Sequence, residues 1–240
     1  MAHFSHGLRI YRRRWHILYL FGILILPMVF IVIAGQVSHL SAIVLTTALI
    51  ESLYRLAIAY GISLLCALVL AIFLGTGRAG NFFIPVFDLL QNLPSFALIP
   101  VFVLLFGYSD LMAIIFAATS IVWPILFSLV SALRMARMDL NEAATIFGAR
   151  GWSRIAHYLL PLSFPALLTG SMVGISIGWE AIIGMEIIGN YRGIGTFLNN
   201  ASASNQTVLL LGIIALLLLV FSINKLIWTP LLQKTYLYGE

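Results

Sequence analysis

The stretch LYRLAIAYGISLLCALVLAIFL, residues 53–74, contains Arg55 as its one charged residue. An α-helix needs about 20 consecutive apolar residues to cross the hydrocarbon core of a bilayer. A strand of a membrane β-barrel would instead alternate polar and apolar side chains over about 10 residues. The continuous apolar run therefore predicts a membrane-spanning helix.

The composition extends this prediction to the whole chain. Of its 240 residues, 62% are hydrophobic and 9% are charged, and the mean hydropathy is +1.07. A soluble domain has about 25% charged residues, so most of this surface must face lipid or other helices. We predict an all-α membrane protein whose residues 1–240 form a single transmembrane domain. The pI near 9.6 is explained by the basic residues that accumulate on the cytoplasmic side of membrane proteins, and not by nucleic-acid binding.

Six apolar segments are long enough to span a bilayer. The predicted spans are Trp15–Ala34, Leu53–Leu74, Asp88–Phe106, Leu111–Leu133, Ser163–Ile183 and Val208–Trp228. The first follows a basic stretch, and we interpret it as a retained helix because no small-residue cleavage site follows it. Between the first two spans, Ser38–Ile50 is predicted to form a separate helix that is interfacial or partly inserted, on the outer side of the membrane.

The positions of the basic residues predict the orientation of the spans. With six alternating spans, most basic residues fall on one face, which is then cytoplasmic together with both termini. These residues are Arg9, Arg12, Arg13, Arg14, Arg78, Arg134, Arg137, Arg150, Arg154 and Lys234. Only Arg192 is clearly placed on the other face. Arg55 lies one helical turn after Glu51, and we predict that the two form an i,i+4 ion pair.

Two spans contain features that bend helices or bring them close together. Pro94 and Pro100 predict a kink in the third span, because proline removes a backbone hydrogen bond, and the fourth span contains Pro124. Such kinks suit a pathway that opens and closes, but they also occur in static bundles. In the fifth span, small residues recur at every fourth position from Ala166 to Gly178, which permits close helix packing, either within the chain or at the centre of a dimer.

Several polar or aromatic residues within the spans are candidates for lining a pathway. Glu180 lies inside the fifth span, where an ionisable group is costly and suggests function by default. It can line a pathway, pair across a dimer, or lie near the outer surface. Glu186, at the outer end of that span, suits a gating or a structural role. The full set of candidates is Gln91, Asn92, Pro94, Trp123, Trp179, Glu180 and Glu186.

The cytoplasmic segment 134–162 between the fourth and fifth spans is long for a connection in a compact protein. Asp139 and Asn141 are capping residues that can start a short helix at Glu142, and Gly148 can end it. A second short helix is predicted over Ser153–Leu160. This arrangement suits a cleft in a partner protein, or an amphipathic segment resting on lipid.

The same segment resembles a known signature. Glu142-Ala143-Ala144, Gly148 and Leu160-Pro161 are similar in type and spacing to the EAA signature of type I ABC importer permeases, with Tyr158 where that family usually has isoleucine. The resemblance covers about residues 50–210 and is closest to the nitrate, sulfonate, taurine and bicarbonate branch. It also includes Pro94, Pro100, Gly107, Pro165, Gly170, Trp179, Glu186, Gly189, Gly193 and Gly195.

The resemblance implies a fold, a function and partners. It implies the six-helix type I permease fold, in which the EAA segment forms a coupling helix seated in a cytoplasmic ATPase. The residues expected to couple ATP hydrolysis to transport are Glu142, Ala143, Ala144, Gly148, Ala149, Arg150, Leu160 and Pro161. The implied partners are an ATPase dimer, a second permease subunit (identical or different), a solute-binding protein outside the membrane, and lipid. The implied cargo is a small solute, such as an anion, and the implied location is the bacterial plasma (inner) membrane.

The chain is not expected to be an enzyme or to bind a cofactor. No G-x-x-x-x-G-K-[ST] motif for binding nucleotide phosphates occurs in its sequence, so the ATP and magnesium are expected to be used by the partner ATPase. We predict no metal site, because the histidines do not have ligand spacing. The alternatives are the transmembrane component of an energy-coupling-factor transporter, an intramembrane enzyme, and a proton-driven secondary carrier, which would contain inverted repeats and more buried charge.

Overall fold

The computed structural model describes residues 22–36, 41–76, 79–135, 157 and 159–237. Within these ranges the chain is helical and contains no β-strand, which confirms the all-α prediction. The helices are α1 (Gly22–Gln36), α2 (Ala42–Thr76), α3 (Ala79–Gln91), α4 (Ile99–Phe106), α5 (Asp110–Arg134), α6 (Leu160–Gly189), α7 (Ile194–Ser204), α8 (Gln206–Ile223) and α9 (Thr229–Leu237).

Four helical segments in the described part of the chain are long and apolar enough to cross a membrane. They are α2, α5, α6 and the segment Gln206–Thr235, in which a π-helical turn over Asn224–Trp228 joins α8 to α9. α3 and α4 together would make a fifth crossing. The presence of six spans remains a prediction, and so does the single transmembrane domain.

The third predicted span differs most from its expected form. Instead of one kinked helix over Asp88–Phe106, the helix begins at Ala79, ends at Gln91, and the chain then turns by 86°. Pro94 is extended at the break (φ −60°, ψ 114°) and precedes a 3₁₀ turn over Ser95–Leu98. Pro100 lies in the first turn of α4, where its missing N–H would be unpaired anyway. The break therefore follows from Pro94, and the pair is either a broken span or a re-entrant loop.

α2 also differs from expectation. It is continuous from Ala42 to Thr76, so Ser38–Ile50 does not form a separate interfacial helix within its described residues. Nothing in the stretch from Ser41 to Ile50 breaks a helix: it contains no glycine or proline. The hydroxyls of Thr46 and Thr47 donate to the carbonyl oxygens of Ala42 and Val44 within the same helix.

The chain divides into two compact units, and the first consists of residues 51–196. Its core is the contact between α5 and α6. The predicted small-residue face of α6 packs here against α5: a Cβ on Gly170 would lie 2.7 Å from the carbonyl oxygen of Pro124, and one on Gly178 would lie 2.6 Å from Ile121 Cδ1. Backbone contact this close requires glycine. The small-residue face therefore serves packing within the chain.

The turn between α3 and α4 is anchored on α5 by aromatic rings. Phe96 and Phe102 lie 5.8 and 5.4 Å from the ring of Phe116, which is fully buried. Phe87 of α3 lies 6.0 Å from the ring of Trp123. These distances are within the range of favourable aromatic pairs, so both arms of the bent pair are held against one face of α5.

The second unit consists of residues 1–50 and 197–240. Within it, the Ser222 hydroxyl of α8 donates to the carbonyl oxygen of Ile23 in α1 at 2.9 Å. Asn205 caps α8 by accepting hydrogen bonds from the backbone N–H groups of Thr207 and Val208, which are otherwise unpaired at a helix start.

Candidate functional site

Glu186, in the last turn of α6, is completely buried with an exposure of 0%. Its Oε1 accepts a hydrogen bond from the Ser52 hydroxyl at 2.7 Å, and its Oε2 accepts one from the backbone N–H of Gly195 at 2.8 Å. The N–H of Ile194 donates to Ser52 Oγ at 2.8 Å. The first N–H groups of a helix have no partner within the helix and attract negative charge. Glu186 and Ser52 therefore cap the start of α7.

The connection between α6 and α7 is shaped around this carboxylate. Asn190 ends α6 in the left-handed conformation (φ 51°), which asparagine tolerates. A Cβ on Gly193 would overlap the carboxyl group of Glu186, and a Cβ on Gly195 would lie 3.0 Å from the Cβ of Glu186. The Thr196 hydroxyl donates to the carbonyl oxygen of Glu186 at 2.7 Å. The Gly-Ile-Gly sequence lets the backbone wrap around a buried acid.

Arg55 forms ion pairs with both Glu186 and Asp110. Its Nη1 donates to Glu186 Oε1 at 2.8 Å and to the carbonyl oxygen of Arg192 at 2.6 Å. Its Nε donates to Asp110 Oδ1 at 2.9 Å, and its Nη2 lies 2.8 Å from the same oxygen in an ion pair. The prediction that Arg55 pairs with Glu51 is wrong, because the Arg55 side chain is 6% exposed and points to carboxylates on α5 and α6. A buried charge must be paired, whereas an exposed i,i+4 pair contributes little.

Asp110 is the exposed member of this cluster. Its side chain is 66% exposed, and it is the first residue of α5, after the capping residue Ser109. A carboxylate at this position also interacts favourably with the helix dipole. The cluster of Arg55, Asp110 and Glu186 thus ties together α2, α5 and α6, and reaches the surface at Asp110.

A cavity of about 430 Å³ opens beside the cluster, and we call it the ionic cavity. Its lining consists of acidic, basic and tyrosine side chains: Glu51, Tyr54, Arg55, Asp110, Tyr191 and Arg192. Glu51 is half-buried and Arg192 is exposed. Neither side chain forms an ion pair with any residue in the described part of the chain.

Tyr191 lies in the turn between α6 and α7 and forms part of the cavity wall. Burial raises the pKa of its phenol above the ordinary value of 10.0, and the nearby Asp110 and Tyr108 raise it further. Its hydroxyl therefore stays protonated and neutral at physiological pH.

A second, smaller cavity of about 170 Å³ lies beside the break between α3 and α4. Its lining is mainly apolar: Leu90, Leu93, Ser95, Leu98, Phe102, Phe116, Thr119 and Trp123. Of the predicted pathway residues, Trp123 contributes to this wall, and Pro94 lies in the adjacent break. Gln91 and Asn92 bind back to Asp88, through its side chain and its carbonyl oxygen respectively, each at 2.6 Å.

The remaining pathway candidates lie on different sides of α6. Trp179 is buried, with 6% exposure. Glu180 is exposed on the helix surface, in line with the exposed residues Thr169 and Ser176. Both hydroxyls bind carbonyl oxygens of their own helix, whereas the Glu180 carboxylate has no hydrogen-bond or ion-pair partner among the described residues. The pathway role of all these candidates stays a prediction.

Most residues of the predicted coupling segment lie outside the described residues. These are Glu142, Ala143, Ala144, Gly148, Ala149 and Arg150. Leu160 and Pro161 are described and form the first turn of α6. Proline is favoured at this position because a first-turn residue needs no N–H donor.

The cluster of Arg55, Asp110 and Glu186 is not predicted by the sequence patterns. One feature of the sequence does point to it: Arg55 and Glu186 are ionisable residues in otherwise apolar helices, where such residues are expected to pair. Their opposite charges make them possible ion-pair partners, but they are 131 residues apart in the sequence. Helical spacing points instead to the nearer acid Glu51, because it is the only geometry that can be read from the sequence.

Comparison with known proteins links this architecture to membrane transport. The family model described as "Binding-protein-dependent transport system inner membrane component" matches residues 62–228. That range runs from α2 to the π-helical turn after α8 and includes Asp110 and Glu186.

Individual relatives are similar over part of their length. The putative aliphatic sulfonates transport permease protein SsuC of Bacillus subtilis is 24% identical over 65% of this chain and 57% of its own length. The nitrate import permease protein NrtB of Leptolyngbya laminosa is 28% identical over 70% of this chain and 62% of its own length. The bicarbonate transport system permease protein CmpB of Synechococcus elongatus is 28% identical over 70% of this chain and 64% of its own length. The chain thus matches less than two thirds of the length of each of these relatives.

Proposed function

Because the chain belongs to the family of binding-protein-dependent transport system inner membrane components, we propose that it is the permease subunit of an ATP-driven importer. It would translocate a small solute that a soluble binding protein delivers. The observation that carries this proposal is the family match over residues 62–228. Relatives named as permeases for aliphatic sulfonates, nitrate and bicarbonate support a small anionic group on the solute. No observation favours the energy-coupling-factor component or the intramembrane enzyme.

In this proposal the chain crosses the membrane six times, and both termini are cytoplasmic. α1, together with the residues before it, makes the first crossing, and α2 the second. The bent pair α3 and α4 acts as one broken crossing, and α5, α6 and the segment Gln206–Thr235 complete the six. Broken helices at membrane depth are tolerated where protein or water pairs their backbone groups. The small cavity beside Pro94 and the hydrogen bonds of Asn92 and Gln91 to Asp88 are consistent with this requirement.

ATP hydrolysis would be coupled to transport by the segment between α5 and α6. We assign the contact with a separate ATPase to Glu142, Ala143, Ala144 and Gly148, with Ala149 and Arg150 beside them. Leu160 and Pro161 would transmit movement directly, because they form the first turn of α6 and α6 is packed tightly on α5 through glycine contacts. The ATP and magnesium would be bound by the ATPase and not by this chain.

The exposed stripe of α6 is the proposed pathway surface. Glu180 has no ion-pair partner among the described residues and lies on a helix long enough to span the membrane. An ionisable group without a partner is tolerated there only next to water or another protein group. The glycine face of α6 is already covered by α5, so the stripe with Glu180 is the side left for the pathway or for a second permease subunit.

The test is reconstitution of the chain with the proteins encoded beside its gene. Recovery of a stoichiometric ATPase with the purified chain, and uptake into proteoliposomes that requires both ATP and the binding protein, would support the proposal. Uptake by the chain alone, driven by a proton gradient, would refute it in favour of a secondary carrier.

A further inference from the structure

We propose that the ionic cavity binds a small zwitterion, with an ammonium group of the ligand against Glu51 and a carboxylate or sulfonate group against Arg192. The cavity volume of about 430 Å³ lies within the range of about 300–1,000 Å³ that is typical of small-ligand sites. The binding site lies entirely within the unit formed by residues 51–196.

The charge balance of the cavity wall carries this inference. Four charged side chains line the cavity, and two of them are already paired: Arg55 binds Asp110 through a hydrogen bond and an ion pair, and also binds the buried Glu186. The other two, Glu51 and Arg192, pair neither with each other nor with any other described residue. One free negative and one free positive charge therefore face the same cavity. A ligand with one group of each sign satisfies both, whereas a simple anion or cation satisfies one and is repelled by the other.

The residue types suit this ligand. An arginine guanidinium presents a planar fork of N–H donors, which matches the paired oxygens of a carboxylate and, similarly, of a sulfonate. A carboxylate beside aromatic rings suits an ammonium group, because the ring faces attract cations. Tyr54 and Tyr191 supply these rings, and the phenol of Tyr191 stays neutral because its pKa is raised.

The position of the cavity gives binding a structural consequence. Its wall includes Arg55 and Asp110, which hold α2 against α5 and, through Glu186, against α6. The carbonyl oxygen of Arg192 accepts a hydrogen bond from Arg55 at 2.6 Å. A ligand held by the Arg192 side chain would therefore contact the turn whose backbone is already bound to the ionic cluster.

This inference deepens the proposed function, because a zwitterion at the cavity would narrow the class of transported solutes to those with both an amino and an acidic group. The binding step itself needs neither ATP nor a partner protein. Failure of ATP-dependent uptake with intact zwitterion binding would therefore count against the importer and not against the cavity.

The experiment is calorimetric titration of the purified full-length chain with β-alanine and with taurine, compared with propionate and propylammonium. We expect both zwitterions to bind at least about tenfold more tightly than either singly charged compound. Glu51→Gln and Arg192→Gln should each weaken zwitterion binding about tenfold or more, because hydrogen bonds to charged groups contribute strongly. Glu51→Asp and Arg192→Lys should restore part of the affinity.

Two controls keep the result interpretable. Arg192→Gln leaves the backbone carbonyl that Arg55 binds in place, so the ionic cluster should stay intact, which the thermal stability of the variant checks. Lys234→Gln removes an exposed charge from a residue that does not line the cavity and should leave zwitterion binding unchanged. Equal binding of zwitterions and singly charged compounds, or no binding at all, would overturn the proposal. So would variants that keep zwitterion affinity but lose association with a soluble protein, since the cavity would then be a protein-docking surface.

Discussion

Arg55 and Glu186 form a buried ion pair at 2.8 Å, although they are 131 residues apart in the sequence. The carboxylate is completely buried, and the arginine side chain is 6% exposed. The Glu186 carboxylate joins three elements, because Ser52 and Arg55 belong to α2, Gly195 belongs to α7, and Glu186 itself belongs to α6. The pair therefore fixes where the end of α6 lies relative to α2 and where α7 begins.

Removing the buried carboxylate should strongly destabilise the protein. Glu186→Ala leaves the Arg55 charge with Asp110 alone and removes the cap of α7, and loss of one partner of a buried pair costs about 3–5 kcal/mol of unfolding free energy. Asp110→Asn should cost about 0–1 kcal/mol, because Asp110 is 66% exposed and exposed pairs contribute little. Unfolding of the detergent-solubilised variants measures both. Equal losses for the two variants would contradict the assignment of Glu186 as the central residue.

Gly193 should not tolerate a side chain. Gly193→Ala places a Cβ onto the carboxyl group of Glu186, and overpacking of this kind costs about 1–3 kcal/mol. Gly61→Ala is the matched control, since Gly61 is inside α2 and a Cβ there has no atom within 4 Å. The control should be neutral or stabilising, by up to about 1 kcal/mol, because alanine favours helix. Thermal melts of the two variants should therefore shift in opposite directions or differ clearly, and equal shifts would exclude the close contact.

The packing of α6 on α5 should depend on Gly170. A Cβ at Gly170 would lie 2.7 Å from the Pro124 carbonyl oxygen and 2.9 Å from the Cα of Ile125, and neither backbone atom can move without shifting a helix. Gly170→Ala should lower the unfolding free energy by about 1–3 kcal/mol. Gly22→Ala, whose Cβ meets nothing within 4 Å, should have no such effect. An unchanged Gly170→Ala variant would mean that the two helices are not in contact at this point.

Replacing Glu180 with an apolar residue should raise the stability of the protein and slow transport. Glu180→Leu removes a charge that has no partner in the described part of the chain, and an unpaired charge costs up to about 3 kcal/mol at the centre of a span. We expect the variant to unfold at a higher temperature and to transport the solute more slowly in reconstituted vesicles. Normal transport would remove Glu180 from the pathway, and lower stability would show that its carboxylate has a partner.

Substitutions in the coupling segment should uncouple ATP hydrolysis from solute uptake. In the complete transporter, Glu142→Ala and replacement of Gly148 by leucine should leave the helical bundle folded and the ATPase active while uptake is lost, because the contact between the subunits is changed and the spans are not. Parallel measurement of phosphate release and solute uptake tests this. Leu160 and Pro161 lie in the first turn of α6, so their substitution should also affect stability. Normal coupled uptake in both the Glu142 and Gly148 variants would refute the coupling role.

The amino-acid sequence alone predicts the all-helical class, the bounds of α5 and the resemblance to the family. α5 begins at Asp110 and ends at Arg134, within one residue of the predicted Leu111–Leu133 at each end, because Ser109 is a capping residue and the apolar run is continuous. The glycine spacing on α6 predicted a close helix contact, because the absence of a Cβ is a property of each residue alone. Long-range geometry was not needed for either prediction.

Which charges meet, and how the third apolar segment turns, depends on the packing of the helices against one another. Pro94 predicted a kink, but the 86° turn also depends on the packing of Phe96 and Phe102 against Phe116 of α5. Arg55 had an acid one helical turn away in Glu51, yet it pairs with Asp110 and Glu186. The reason is physical: burial makes an unpaired charge so costly that the partners are chosen by the three-dimensional packing of α2, α5 and α6, which helical spacing within one segment does not encode.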